Sequence, residues 1–328
     1  MIDRSKVFDD TDLFSEMLEK LRFHGDPGVG GWFTAPWGLA FDATPGHSPF
    51  YVVAEGRCFL EISGDEWELR VGDLVLLPQG DAHSLKDAPG SRSVPFSSVP
   101  LSPGGTGMRT VHWGGGGMQT QIVSGILKFD SPHALPILKA MDKTFVLRAQ
   151  DAGRSDGIDP LLGLYCREGR SQAPGSRAAT AELLKLLFIE ILRNRLSGQI
   201  RNQRPCGGNT LLLAFEPSLR AAAEAIHFEP GRPWTLAQLA DLSGLSRTTF
   251  AVRFQSVAAT SPLAYLTRVR MLKAVDLLER TTATLEAIAG QVGYGSEAAF
   301  STAFKRELGV SPGAYRNQSN PKVVASGS

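Results

Sequence analysis

Two stretches decide how this chain is read: TLAQLADLSGLSRTTFAVRF, Thr235 to Phe254, and TLEAIAGQVGYGSEAAFSTAF, Thr284 to Phe304. They are copies of one pattern. Each begins with a Thr able to cap the free N–H groups of a helix. Apolar residues then fall on one face: Leu236, Leu239 and Ala240 in the first copy, Leu285, Ile288 and Ala289 in the second. Ala240 and Ala289 each stand four residues before a glycine, Gly244 or Gly293. The small Ala lets a second helix cross closely, and the Gly supplies the positive φ that leaves a helix sharply. Ser246 or Ser296 then caps a second helix. That helix carries two phenylalanines four apart, Phe250 and Phe254 or Phe300 and Phe304, which puts both rings on one buried face. Each copy is therefore a helix, a tight turn and a second helix, over residues 235–256 and 284–307.

The opposite face of the second helix holds Arg247, Thr248, Ala251 and Arg253 in copy one, and Glu297, Ala298, Ser301, Thr302 and Lys305 in copy two. Small and polar residues on an exposed helix suit entry into a major groove. With Thr249 and the capping Ser246 and Ser296, these are the candidate DNA-contacting residues. Between the copies, Ser261 can cap a helix running to Arg280, and Pro262 fits its first position. Roughly 18 helical residues span about 27 Å, close to the ~34 Å between successive major-groove faces of B-DNA. One chain can thus present two helices to adjacent groove segments. A generic helical bundle explains the alanines and leucines, but not the same Ala, Gly, Ser and Phe order occurring twice.

At this point the chain resembles the AraC/XylS family of transcription regulators. The segment IAGQVGYGSEAAFSTAFKRELGVSPGAYR, from Ile288 to Arg316, matches that family's signature over its whole length, and the likeness extends over about residues 216–317. The resemblance implies seven helices there, with Arg247–Ser256 and Ser296–Glu307 as recognition helices. It also implies double-stranded DNA and RNA polymerase as partners. Glu297 and Ala298 make the second recognition surface small and acidic at its start. The first copy is therefore expected to supply most of the specificity, and the second to position the protein along the backbone.

Residues 25–130 read differently. Short apolar runs, Phe50–Ala54, Cys58–Ile62, Trp67–Val71 and Leu74–Leu77, alternate with turn residues, which points to a β-sandwich or barrel. The glycine-dense stretch 102–117 lacks the Gly-Lys-Ser/Thr of a phosphate loop and reads as a flexible loop. Residues Gly72–His83, GDLVLLPQGDAH, fit the spacing G-x5-P-x-G-x2-H of the second cupin motif, with His83 turned inward. The first cupin motif is incomplete: Tyr51 or Val52 stands where a histidine is expected, although His47 and Glu55 remain. A divalent metal needs three or more suitable ligands. His83 with His47 or His112 is the candidate set, and the alternative is a His83 hydrogen-bonded inside the barrel. Continued through VSGILKFDSPHALPILKAM and the apolar helix at 178–196, the stretch 10–200 resembles the cupin-type sensor domain of AraC-like regulators. That resemblance implies a small-molecule or redox input and a homodimer. The sensor candidates are His47, Tyr51, Cys58, His83 and His112. Cys58 is either a redox thiol or a buried structural cysteine. The helix 178–196 is apolar on most of its circumference and belongs against the barrel or a partner chain.

The expectation for the whole chain of 328 residues is an α+β multidomain protein. An N-terminal cupin-like β-barrel with flanking helices fills 1–200, a linker 201–215, and an all-α domain with two helix-turn-helix units 216–317, followed by a disordered tail 318–328. The net charge of +1 does not mark a nucleic-acid binder, though a basic face on one domain can be offset elsewhere. The N-terminus is charged and amphipathic, with Leu13, Phe14, Met17, Leu18 and Leu21 on one stripe, and has neither a signal peptide's apolar core nor a membrane span. Three cysteines with no metal-ligand spacing fit a reducing cytoplasm. The function expected is sequence-specific transcription regulation, as an activator under small-molecule or redox control, with no enzyme activity and no cofactor. Two alternatives stand beside it: a metal-dependent cupin enzyme with an accessory helical domain, and a DNA-binding structural protein with a vestigial barrel.

Overall fold

The computed structural model describes residues 12–102, 108–130, 134–139, 141–151, 157–171, 173–201 and 210–319. The chain divides into two units, one of residues 18–202 and one of residues 1–17 with 203–328. The amphipathic stripe at the start folds as expected into α1 (Leu13–Leu21), and its five apolar residues are buried.

The unit of residues 18–202 is built from β1 (Phe23–Thr34), β2 (Gly38–Phe41), β3 (His47–Glu55), β4 (Arg57–Ile62), β5 (Asp65–Arg70), β6 (Leu74–Leu76), β7 (His83–Lys86), β8 (Val94–Pro95), β9 (Arg109–Gly114), β10 (Gln119–Phe129) and β11 (Phe145–Leu147). These form two sheets, in the order β11-β6-β3-β10-β1-β9 and β5-β4-β7-β2-β8. The inward faces share one apolar core, which includes Phe33, Trp37, Leu60, Leu85 and Ile122. β3 is buried without a break from Ser48 to Val53 because it is covered on both faces, and this is why it reads as a continuous apolar run. On its outer side, Phe50 meets Tyr165 edge-on at 5.2 Å. Tyr165 lies on α3 (Ile158–Arg170), which follows the short α2 (Ala134–Lys139). The long helix α4 (Ser176–Arg201) contains the expected 178–196 and packs on the six-stranded sheet: Phe188 sits edge-on to Phe23 and Phe129. Of the two coverings open to that helix in the sequence, the barrel provides one within the chain. One expectation is corrected. Residues 109–114 of the glycine-dense stretch are strand β9, parallel to β1, because Val111 is buried in the core; residues 103–107 lie outside the described residues.

The other unit holds seven α-helices among the described residues from 220 onward. They are α5 (Arg220–Phe228), α6 (Leu236–Leu242), α7 (Arg247–Ala258), α8 (Pro262–Arg280), α9 (Leu285–Gln291), α10 (Glu297–Leu308) and α11 (Pro312–Ser319). The seven-helix expectation holds. The expected linker 201–215 is in part structured: Arg201 ends α4, and Thr210–Ala214 is a 3-10 turn whose Leu211, Leu212 and Leu213 are buried. Three consecutive leucines had to find cover, and the turn packs on α7. Of the expected disordered tail 318–328, Gln318 and Ser319 belong to α11, and residues 320–328 lie outside the described residues. In this unit Phe14 sits edge-on to Phe215 at 4.8 Å, and buried His227 contacts the Tyr265 hydroxyl at 2.6 Å and the Glu16 carboxylate at 3.2 Å.

Candidate functional site

Each capping position does what its chemistry predicts. Thr235 accepts from the Gln238 N–H at 3.2 Å, while the Gln238 side chain accepts from the Thr235 N–H at 2.9 Å. Ser246, Thr284 and Ser296 accept from the N–H groups of Thr249, Ala287 and Ala299, each at 3.2 Å. Ser261 accepts from the Ala264 N–H at 3.3 Å and starts α8. The two turns are built alike. Gly244 and Gly293 have φ of 64° and 84°. The N–H after each glycine, on Leu245 or Tyr294, donates to the carbonyl of Ala240 or Ala289. The glycine N–H donates to Asp241 or Gly290. This is the double bond pattern of a Schellman stop. It gives the repeated offset between alanine and glycine a cause: the alanine carbonyl is the acceptor that closes the turn. Phe250, Phe254, Phe300 and Phe304 are all fully buried.

What α7 and α10 turn outward differs in part from the sequence reading. On α7, Ser246, Arg247, Thr248, Thr249 and Arg253 are exposed, and Ala251 is half-buried. The buried set Phe250, Phe254, Val257 and Ala258 sets the axis of the helix, and at 100° per residue Ala251 falls on its flank. The residues opposite that set are Thr248, Val252 and Ser256, with Gln255 beside them; Val252 is 66% exposed. Arg253 is turned back into its own domain. Its guanidinium bonds the buried Glu216 carboxylate at 2.9 Å and Ser218 Oγ at 2.8 Å. Burial alone would raise the Glu216 carboxyl, but hydrogen bonds from Ser218 and Arg253 and the Arg253 charge outweigh it and hold the group below its ordinary value. Arg253 is thus a clamp within the fold. Arg247, by contrast, makes no ion pair among the described residues.

On α10, Ser296, Glu297, Ala298, Thr302 and Lys305 are exposed and Ser301 is half-buried. Arg306 is exposed beside Lys305 and lies 3.3 Å from Glu307. Val252, Gln255 and Arg306 escaped the sequence reading. The signal that finds them is the burial of the phenylalanines: residues two and five places after Phe250, and the basic pair just after Phe304, face away from the rings. The connector α8 has 19 residues, about 28 Å at 1.5 Å per residue.

In the barrel, a cavity of about 350 Å³ opens between the two sheets. Its walls are mostly apolar, with Phe33, Leu39, Phe41, Phe96, Val111 and Ile122 among them. Tyr51 and His83 also line it, and their side chains are bonded, Tyr51 hydroxyl to His83 Nε2, at 2.7 Å. His83 Nδ1 lies 2.8 Å from the Asp81 carbonyl, and burial lowers its pKa. The other sensor candidates are elsewhere. His47 starts β3 and does not line the cavity. His112 is exposed on β9, stacked on Trp32 at 5.1 Å. The candidate metal set is therefore not assembled. Both nitrogens of His83 are engaged, and among the described residues no group of three or more His, Cys, Asp or Glu side chains is placed to hold an ion. Cys58 is 1% exposed on β4, and its thiol is pushed up to about 12, by burial first and then by the Asp73 charge. Its burial favours the structural cysteine of the two readings. A reactive thiolate needs the opposite shift.

Family comparison agrees with this arrangement. Residues 12–197 match a model described as Cupin, and residues 239–318 match one described as Helix-turn-helix domain. The "HTH-type transcriptional regulator AlkR" of Acinetobacter baylyi is 31% identical over 96% of this chain and 99% of its own. The chain belongs to the AraC/XylS family of transcription regulators. A further relative of this AraC/XylS-family protein is the "RCS-specific HTH-type transcriptional activator RclR" of Escherichia coli K12, 28% identical over 82% of this chain and 84% of its own. The DNA-binding domain of AdpA, solved "in complex with a target DNA", is 32% identical over 34% of this chain and 98% of its own, with a TM-score of 0.31. The protein is thus a DNA-binding transcription regulator and not an enzyme: the relatives are named as regulators along nearly their whole length, and the enzyme alternative falls. Among the described residues no helix is long and apolar enough to cross a membrane.

Proposed function

We propose that this regulator is a transcription activator switched by a small molecule that enters the barrel cavity. The observation that carries the reading is the cavity of about 350 Å³, apolar-walled with one buried polar pair, Tyr51 and His83. Its size and lining are those of a ligand site. The burial of Cys58 favours a small molecule over an oxidant as the signal. RclR, named as an activator, supports the sign of regulation. The reading has the protein working in the cytoplasm as a homodimer that contacts RNA polymerase. DNA contact falls to Ser246, Arg247, Thr248 and Val252 on α7, and to Ser296, Ala298, Thr302 and Lys305 on α10. An effector acts only by binding one arrangement of the protein better than another.

The test is to map bound promoters in cells, then transcribe them in vitro with RNA polymerase, with and without small molecules made by the neighbouring genes. An activator raises transcript when its ligand is present. A variant with the cavity blocked, Ile122→Trp, keeps its promoter affinity and ignores the ligand. Transcription lowered by the wild-type protein overturns the activator assignment. A ligand response that survives the block overturns the cavity.

A further inference from the structure

We infer that the cavity selects a neutral, largely apolar ligand carrying one hydrogen-bond donor, an alcohol or phenol, which it recognises through the oxygen of Tyr51. The inference rests on the reading that the cavity receives a ligand, and adds the chemistry by which it chooses one. The Asp81 carbonyl can only accept, so the 2.8 Å contact fixes the His83 hydrogen on Nδ1. His83 is kept neutral by burial and by the apolar wall, with Phe41 stacked on its ring at 4.9 Å. Its Nε2 is then a bare acceptor, and the Tyr51 hydroxyl 2.7 Å away must donate to it. That commits the only hydrogen of Tyr51. Its oxygen keeps lone-pair capacity, and among the described residues no donor is bonded to it. Of the other polar side chains in the lining that are not fully exposed, Ser124 is already used, accepting from the Val29 N–H at 2.9 Å and donating to the Val29 carbonyl at 3.0 Å, and Asp26, paired with Lys128, is a carboxylate that can only accept. Among the described side chains the interior therefore offers acceptors and no free donor.

Three ligand classes are separated by that polarity. A hydroxyl ligand donates to Tyr51 and leaves its carbon body on Phe33, Leu39, Val111 and Ile122. An ether or a hydrocarbon of the same shape gains the apolar contact alone. A carboxylate meets lone pairs with lone pairs, and loses its water against apolar walls with no cation inside. Asp42, Thr44, Ser97 and Arg109 also line the cavity, but all four are exposed and so belong to its mouth.

The experiment uses the full-length protein and titration calorimetry with 4-butylphenol, its methyl ether and 4-butylbenzoate. The expected order is phenol, then ether at roughly tenfold weaker affinity, the worth of about one neutral hydrogen bond, then benzoate weaker still. The double variant Tyr51→Phe/His83→Leu removes acceptor and donor together and leaves no polar orphan between them. It should bind the ether as before and lose its preference for the phenol. Ether or benzoate binding as tightly as phenol to the wild-type protein overturns the inference, as does a phenol preference that persists in the double variant. Ile122→Trp separates the two levels. If it blocks binding while the order of probes is wrong, the cavity stands and its assigned polarity falls. If no probe binds, or binding is indifferent to the block, the cavity reading itself falls.

Discussion

Gly244 and Gly293 occupy equivalent places in the two copies, and replacing each by alanine should have unequal consequences. Both have positive φ, 64° and 84°. An alanine in that region costs about 1–2 kcal/mol from the clash of its Cβ with its own backbone. At Gly244 nothing else is added, because no atom lies within 4 Å of the new methyl group. At Gly293 the methyl group would stand 2.4 Å from the Gly231 carbonyl oxygen and 2.9 Å from an Arg270 nitrogen. The oxygen is backbone, and Arg270 is held in place by bonds to the carbonyls of Pro230, at 2.7 Å, and Arg232, at 2.9 Å. Neither neighbour gives way cheaply, so overpacking adds about 1–3 kcal/mol. Gly293→Ala should therefore cost about 2 kcal/mol more than Gly244→Ala, a factor of roughly 30 in the opening equilibrium. Hydrogen–deuterium exchange of the full-length protein reads this directly. In Gly244→Ala, peptides from α6 and α7 should lose protection by about tenfold, from about 1–2 kcal/mol of strain. In Gly293→Ala, peptides from α9 and α10 should lose about a hundredfold or more. DNA affinity should fall further in the second variant, because the turn that aims α10 is the one distorted. Equal losses in the two variants, or a larger one at Gly244, would refute the argument from close approach.

Other outcomes follow from the same geometry. Arg247→Ala should weaken promoter binding and lower the slope of log affinity against log salt by about one, measured by fluorescence anisotropy; an unchanged affinity and slope would remove Arg247 from the interface. Exchanging single dT nucleotides for dU across the bound site should expose a position where loss of the methyl group weakens wild-type binding several-fold but leaves Val252→Ser indifferent, since an exposed Val in a major groove meets the thymine methyl. The Glu216 carboxyl is held below its ordinary 4.5, so its contribution to stability is whole above that pH and is lost as acid carries the pH down through the lowered value. Arg253→Met should cost about 1–2 kcal/mol at neutral pH, discounted because the Arg is half exposed, and should flatten that acid-range loss in a series of urea melts. Cys58 should resist iodoacetamide in the native protein, as read by mass spectrometry, and Cys58→Ser should leave the response to hydrogen peroxide unchanged; alkylation of the folded protein would contradict its burial.

Much of the helical unit was legible because its determinants are local. A cap is decided by the residues Ser246 to Thr249, and a Schellman stop by Ala240 to Leu245, so sequence neighbours are also structural neighbours. The barrel was legible as strands and as a cupin-like motif, but not as a site. Tyr51 and His83 lie 32 residues apart in sequence, and only the register of β3 and β7 in facing sheets brings them together. His47 and His112 looked equally suited to join His83, and nothing in the order of residues says that one starts a strand away from the cavity and the other stacks on Trp32 outside it. Strand β9 was hidden for a related reason: its pairing partner β1 is about 80 residues away, so glycine density dominated the local signal. The bonds of Arg253 were hidden for the same reason, since Glu216 and Ser218 precede it by 37 and 35 residues.

That last contact changes how the two recognition helices divide the work. Two arginines on α7 suggested a helix that reads bases by charge-assisted bonds. With Arg253 spent on Glu216, the outward face of α7 is Thr248, Val252, Gln255 and Ser256, uncharged side chains flanked by Arg247. On α10 the corresponding end carries Lys305 and Arg306; Arg306 pairs with Glu307 at 3.3 Å, but both are exposed and the pair is weak, whereas Arg253 is held on a buried carboxylate. Uncharged groups contribute little to non-specific affinity, which comes from neutralised phosphates. They discriminate bases by shape and by single hydrogen bonds, as a methyl contact to thymine or an amide pair to adenine does. The cations on α10 do the reverse. The inequality expected from the sequence therefore stands as a proposal on a different footing: α7 carries specificity because it is nearly free of charge, and α10 anchors because it is not. Removing Lys305 and Arg306 together should then weaken binding to target and random DNA alike, whereas substitutions at Val252 or Gln255 should narrow the gap between the two.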